Sequence, residues 1–266
     1  MNKTILSVVL AIHNEAENLP RCLNAVVKIA DEIVVVDGAS TDASQTVAKK
    51  FGAKILETTN KANFHINKQM AMDAAQGVLV LQLDADEVVD DALATYIVEL
   101  KKQARVGSLP AEPKAWWIRR KNYFLQRFLS KGGQYPDPVI RLYQRGYASL
   151  PQKNVHEQMS VDGETATAAG HLLHYANPTF AVYMRKFNTY TSFEAERLYS
   201  QKKDKQLGVL QYWIIKPIRT FFSLYVRHKG LVDGFPGFLF ALMSALHHPF
   251  VAIKYKELVA TNAQYD

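Results

Sequence analysis

Cysteine is almost absent from this chain. Cys22 stands alone among 266 residues, so no internal disulfide can form and a small disulfide-stapled scaffold is excluded. The opening MNKTILSVVLAIHNE lacks the apolar length and small-residue cleavage site of a secretory signal, and a cytoplasmic location is the expectation. No run of about eighteen uncharged apolar residues stands out, so no spanning helix is predicted. Helix-turn-helix, zinc-finger and RNP signatures are missing too, and no nucleic-acid partner is expected despite a formal net charge of +7.

What is present is ordinary globular material, 48% hydrophobic and 21% charged, enough for one large domain or one and a half. The charge is unevenly placed. Residues 1–105 hold 11 Lys and Arg against 14 Asp and Glu, residues 106–179 hold 9 against 5, and residues 180–266 hold 12 against 6. The basic excess therefore lies wholly in the second half, where it suits an anionic membrane surface or an anionic lipid-linked substrate.

The chain is organised around residues 78–87, VLVLQLDADE. Six mostly apolar residues read as a strand buried on both faces, and they run into Asp84, Asp86 and Glu87. Carboxylates one residue apart at a strand end can converge on a hard cation such as magnesium or manganese, which in turn bridges substrate phosphates. An acidic loop capping the next helix is the plainer alternative, and Asp90 and Asp91 are assigned only that.

Around this strand the pattern is β-α-β-α-β-α-β. Strands are predicted over residues 4–12, 32–36 and 53–57, and helices over 18–30, 42–51 and 64–75, with Asp42 as a cap. Short connections of this kind build an open, mostly parallel sheet with helices on both faces, whose ligands bind beyond the carboxyl ends of the strands. The polar residues gathered there are Asn14, Glu15, Asp37, Asp84 and Asp86.

SVVLAIHNEAENL, VVVDGASTDAS and LQLDADE, in this order and spacing, resemble the nucleotide-sugar-binding half of inverting family-two glycosyltransferases with the GT-A fold, a match over residues 4–92. YPDPVIRLY, NVHE and HLLHY resemble the bacterial branch that transfers sugars in lipopolysaccharide core assembly. A dinucleotide-binding half is disfavoured because Gly-x-Gly-x-x-Gly does not follow the first strand.

The resemblance implies roles. Asn14, Glu15 and Asp37 lie near the base and ribose of a nucleotide diphosphate sugar, with helix capping as the alternative for the two acids. Asp84 supports the ribose or the cation, Asp86 ligates the cation directly, and His174 completes its coordination, unless it is a structural histidine. Lys68, on the helix before the central strand, can reach the diphosphate or be a solvated helix lysine. An inverting transfer needs a base to take the acceptor's proton. Glu157 of NVHE is the leading candidate and Asp137 of YPDP its rival, with an ion pair to a neighbouring arginine as the alternative for either. His156 orients the acceptor or is a core histidine, while Arg141, with Arg119, Arg120, Lys121 and Arg145, suits an acidic or phosphorylated saccharide.

Three regions follow: a donor half over residues 1–107, an acceptor and catalytic half over 108–178 with short strands at 116–119, 139–143 and 171–175, and a helical region over 179–266. The last holds 17 of the 29 aromatic residues, with helices expected over 178–200, over 207–228 with a kink at Pro217, and over 238–255 interrupted near Pro249. Aromatics interleaved with cations describe helices lying in a membrane interface, with Trp213, Phe221, Phe222 and Tyr225 toward lipid; a packed helical subdomain or a homo-oligomer interface is the alternative. The expected whole is a peripheral enzyme on the inner face of the cytoplasmic membrane. It would move a sugar, from a UDP-hexose by preference, to a lipid-linked or other anionic glycan. A polyprenyl-phosphate sugar transferase, a non-catalytic nucleotide-sugar-binding protein and a membrane-attached scaffold are the rival readings.

Overall fold

The computed structural model describes residues 3–61, 63–151, 158–202 and 207–262. The chain divides into two compact units. One comprises the chain up to Arg120 together with Asp137–His174, the other Lys121–Pro136 and the chain from Tyr175 onward.

The first unit opens with β1 (Leu6–Ile12), α1 (Leu19–Val26), β2 (Glu32–Gly38), α2 (Ser44–Lys50), β3 (Lys54–Thr58), α3 (Phe64–Asp73) and β4 (Leu79–Leu83). Strands β1, β2 and β4 are runs of Val, Ile and Leu buried almost throughout, as parallel strands covered on both faces must be. Alternation divides their side chains. Val8 and Leu10 join Leu19, Leu23 and Leu93 on one face, while Val9, Val34 and Val80 meet Ala71 and Met72 of α3, and Ala75 just after it, on the other. Replacing one of these leucines by alanine would cost about 2–5 kcal/mol.

After β4 the pattern changes. A short β5 (Glu87–Val89), α4 (Asp91–Arg105), β6 (Ala115–Phe124), β7 (Arg127–Phe128), β8 (Asp137–Gln144), β9 (Ala148–Ser149), β10 (Ser160–Val161) and β11 (Thr165–Asn177) follow. The main sheet runs β3-β2-β1-β4-β8-β6-β11-β5. Pairing is parallel from β3 to β4 and antiparallel for β4 with β8, β8 with β6, and β11 with β5. The sheet is therefore mixed, and its second half is longer-stranded than the short runs expected from sequence. Asp90 caps α4 as predicted, its Oδ1 accepting from Leu93 N at 2.9 Å. β11 passes close to that cap only because residue 170 is glycine, with φ at +87° and a Cβ position 2.2 Å from Leu93 N.

The second unit is mostly helical and also takes in β7 and the ends of β6 and β11. It holds α5 (Phe180–Lys202), a π-helical turn (Gln211–Ile215), α6 (Lys216–Phe222), a second π-helical turn (Ser223–Arg227), a 3-10 turn (Gly230–Asp233) and α7 (Gly234–Asn262). Ala195, Leu198, Tyr212, Val251, Ala252 and Tyr255 form its core. Buried Asp233 accepts from Ser130 Oγ at 2.8 Å and from Lys131 N at 2.9 Å, which ties the β6–β7 end to the helices.

Three expectations for this unit are corrected. α7 runs through Pro249 without a break, because burial of Val251, Ala252 and Tyr255 against α5 outweighs the bond that proline removes. Phe221 and Tyr225 do not face outward; both pack edge-on against Phe238 of α7, at 5.8 and 5.7 Å, whereas Trp213 and Phe222 stay exposed. The expectation that no run of about eighteen uncharged apolar residues stands out also fails. Residues 234–253 contain no Asp, Glu, Lys or Arg, and the helical stretch Gly230–Thr261 is long and apolar enough to cross a bilayer by length and composition.

Candidate active site at the strand ends

Two loops beyond β1 and β2 are stitched together. His13 Nδ1 lies 2.8 Å from the Gly38 carbonyl. Asn14 adopts the left-handed region at φ 56°, its backbone N–H donates to Ser40 Oγ at 2.9 Å, and its Oδ1 accepts from Thr41 N at 2.8 Å. Glu15 accepts from Asn18 Nδ2 at 2.8 Å and its own N–H donates to Ser44 Oγ at 2.8 Å. Asp37 is fully buried, accepting from Ser40 Oγ at 2.5 Å and Gln45 Nε2 at 2.8 Å. Asp42 bridges both loops through Ser44 N at 2.9 Å and Ala16 N at 3.1 Å. This web rigidifies the rim beyond the parallel strands.

Beyond β4 the carboxylates meet cations. α3 is capped by Asn63, whose Oδ1 accepts from His65 N at 3.0 Å, and turns Lys68 inward. Lys68 is buried, pairs with Asp84 Oδ1, and lies 4.8 Å from the Phe64 ring centroid. It is thus no solvated helix lysine. Arg141, only 8% exposed, comes from β8: its Nη2 lies 2.5 Å from Asp84 and 3.0 Å from Glu87, its Nε 3.1 Å from Glu87, and its Nη1 bonds Gln82. Glu87 has no exposed surface. It also accepts from Asp84 N at 3.0 Å and from Arg120 Nη1 at 3.4 Å.

Burial alone would raise the Asp84 carboxyl, but the charges of Arg141 and Lys68 outweigh it and hold that group well below the usual carboxylate range. Burial lowers Arg141, yet Asp84 and Glu87 overcome it and push the guanidinium upward. Cys22, whose Sγ lies 3.7 Å from the Asp84 carbonyl, is raised well above an ordinary thiol by burial and by the nearby carboxylates. It is a packing group, not a nucleophile.

Asp86 and His174 come together at the edge of this cluster. β11 pairs β5 with His174 opposite Glu87, which brings His174 Nε2 to 3.6 Å from Asp86 Oδ2. Among the described residues no three His, Cys, Asp or Glu side chains converge on a cation position. One carboxylate and one imidazole nevertheless suit a magnesium- or manganese-class ion that takes its other ligands from a diphosphate and water. Asp137 pairs with Arg120, at 3.0 Å to Nε and 2.7 Å to Nη2. His156 and Glu157 lie outside the described residues.

The structure thus gathers Lys68, Asp84, Asp86, Arg141 and His174 at one strand end, with Asn14, Glu15 and Asp37 in the two adjoining loops. The role of Gln82 was missed from sequence; Glu87 was read only as a supporting acid, and the pairing of Asp137 with a neighbouring arginine was an alternative whose partner, Arg120, the sequence did not name. The available signal was that Gln82 and Glu87 interrupt or abut an otherwise apolar buried run, which requires buried partners.

The model of glycosyl transferase family 2 matches residues 7–191. The chain belongs to that family. Its family-two relatives include the lipopolysaccharide core biosynthesis glycosyltransferase LpsC of Rhizobium meliloti, 27% identical over 98% of this chain and 96% of that protein. An uncharacterized glycosyltransferase of Rickettsia typhi is 27% identical over 95% of this chain and 87% of its own length. A TPR repeat-containing protein of Synechococcus elongatus is 30% identical over 60% of this chain, which spans only 47% of that longer relative. Among solved structures, the Pyrobaculum calidifontis mannosyltransferase in complex with GDP-Man and Mn2+ superposes with TM-score 0.51 at 12% identity, over 95% of this chain and 87% of that one. The family-two protein is a glycosyltransferase of GT-A type.

Proposed function

We propose that this glycosyltransferase is metal-dependent and inverting, and that it moves a hexose from a uridine diphosphate sugar to a saccharide of the lipopolysaccharide core or another lipid-linked glycan. One observation carries the reading: Asp86 and His174 stand 3.6 Å apart at the carboxyl end of the parallel strands, beside an Asp84 already held by two cations. An Asp84 so neutralised is a scaffold, which leaves Asp86 and His174 to hold the ion. A bound divalent ion would neutralise charge on the leaving diphosphate.

The remaining steps fall to the chain's own residues. Asp37, Asn14 and Glu15 bind base and ribose from a rim that their mutual hydrogen bonds pre-shape. Lys68 meets the diphosphate, and Arg141 fixes the carboxylates against which it is aligned. Glu157 takes the proton from the acceptor hydroxyl as that oxygen attacks the anomeric carbon from the face opposite the leaving group. The two bonds from Arg120 to Asp137 favour a structural role for that rival. His156 positions the acceptor. The lipopolysaccharide core assignment of LpsC supports the acceptor class, and such an acceptor fits an enzyme peripheral to the cytoplasmic face of the membrane.

The test is a panel of nucleotide sugars offered to the full chain with manganese or magnesium. Uridine diphosphate sugars should be turned over and others spared. Turnover of guanosine or cytidine donors alone would reassign the donor, and none with any donor would sink the enzymatic reading.

A further inference from the structure

The outer face of the second unit carries a regular apolar row. Leu210, Ile214, Ile218, Phe222 and Val226 recur every four residues, and each is between 49% and 60% exposed. Trp213 lies beside them, 45% exposed. An α-helix of about 3.6 residues per turn carries a four-residue repeat slowly round its axis. A π-helical turn, closed from i to i+5, is wider, so four residues fall short of a full turn and the row drifts the other way. Here α6 sits between two π-helical turns, and the opposite drifts cancel. The row therefore stays on one side of the segment. The opposite side is committed: Tyr212 is in the unit's core, Phe221 and Tyr225 meet Phe238, and Thr220 Oγ1 lies 2.9 Å from His248 Nε2.

The charge on this segment has one sign. Residues 207–232 hold Lys216, Arg219, Arg227 and Lys229 and no Asp or Glu. A protein partner's apolar groove would be indifferent to that bias, whereas an anionic lipid surface requires it. α7, although long enough to span, packs along its length against both α5 and α6. It is the central helix of a three-helix layer.

We infer that residues 209–232 lie in the plane of an anionic bilayer, with the row from Leu210 to Val226 immersed at the acyl boundary and Arg219, Arg227 and Lys229 at the headgroups, while Lys216 stays over the Tyr212 ring at 3.6 Å and α7 does not cross. The inference rests on the reading of the enzyme as peripheral to the cytoplasmic membrane. It adds the surface, the lipid class and the mode of attachment.

The experiment uses the full chain and phosphatidylcholine vesicles with and without phosphatidylglycerol. Binding should be strong only with phosphatidylglycerol, weakened by salt, and reversed by alkaline carbonate. Lipids brominated near the headgroup should quench Trp213 more than lipids brominated deep in the chain, with Trp213→Phe as the blank. Ile218→Glu combined with Phe222→Glu should lower vesicle binding at least tenfold, and Ile218→Gln alone by a smaller factor, with the helical circular dichroism unchanged. Equal binding by the double variant, no binding by the wild type, resistance to carbonate, or dimers in solution that the double variant dissolves would each overturn it. Transfer to a soluble acceptor by a vesicle-blind wild type would defeat this inference alone; intact vesicle binding without turnover of any donor would defeat the enzymatic reading alone.

Discussion

His174 Nε2 lies 3.6 Å from Asp86 Oδ2 because β11 runs antiparallel to β5 with His174 opposite Glu87. Two residues separated by most of a domain's sequence thus become one two-donor edge. Asp86→Ala should lower turnover about 100-fold or more while leaving the fold intact. His174→Ala should weaken manganese affinity in a direct titration, with a smaller effect on turnover at saturating metal. Undiminished activity in excess chelator would refute the metal assignment.

Glu87 has no exposed surface and owes its charge balance to Arg141 and Arg120. Arg141→Met strips the nearer cation and leaves a buried carboxylate uncompensated, so urea unfolding should show a loss of about 3–5 kcal/mol. The pH dependence follows from Asp84. Its folded pKa lies below the unfolded value of about 3.9, so the group contributes stability that is fully present above the unfolded pKa and is lost as pH falls toward the folded one. The wild type should therefore lose stability steeply in acid below about pH 4, and Arg141→Met should show a shallower slope there. Parallel acid limbs for the two proteins would show that Arg141 does not set the Asp84 pKa.

The proton acceptor is tested by paired isosteres. Glu157→Gln preserves shape but cannot take a proton, so donor affinity should persist while transfer falls by about 100-fold or more. Asp137→Asn should instead act through Arg120, lowering the melting temperature with a smaller effect on kcat. The reverse pattern would move the base to Asp137.

What the sequence determined by itself was the part of the molecule built from short-range regularity. The run LVLQL ending in Asp84, the EIVVVDG strand ending in Asp37, and the helices between them follow from the period of apolar residues and from turn chemistry within a few positions. Those two cues also place Asn14, Asp37, Asp84 and Asp86 beyond the carboxyl edge of a parallel sheet. Tertiary structure alone decided who partners whom. Arg141 meets Asp84 only because β8 lies antiparallel beside β4, and Arg120 meets Asp137 only through the register of β6 on β8. Strand register depends on backbone pairing across tens of residues, and a shift of one residue would turn either guanidinium to the opposite face of the sheet. The same holds in the helical unit, where composition announced aromatics and cations. Packing against α7 decided that Phe221 and Tyr225 turn inward while Phe222 and Trp213 stay exposed, because only one side of a helix can be buried on a single neighbour.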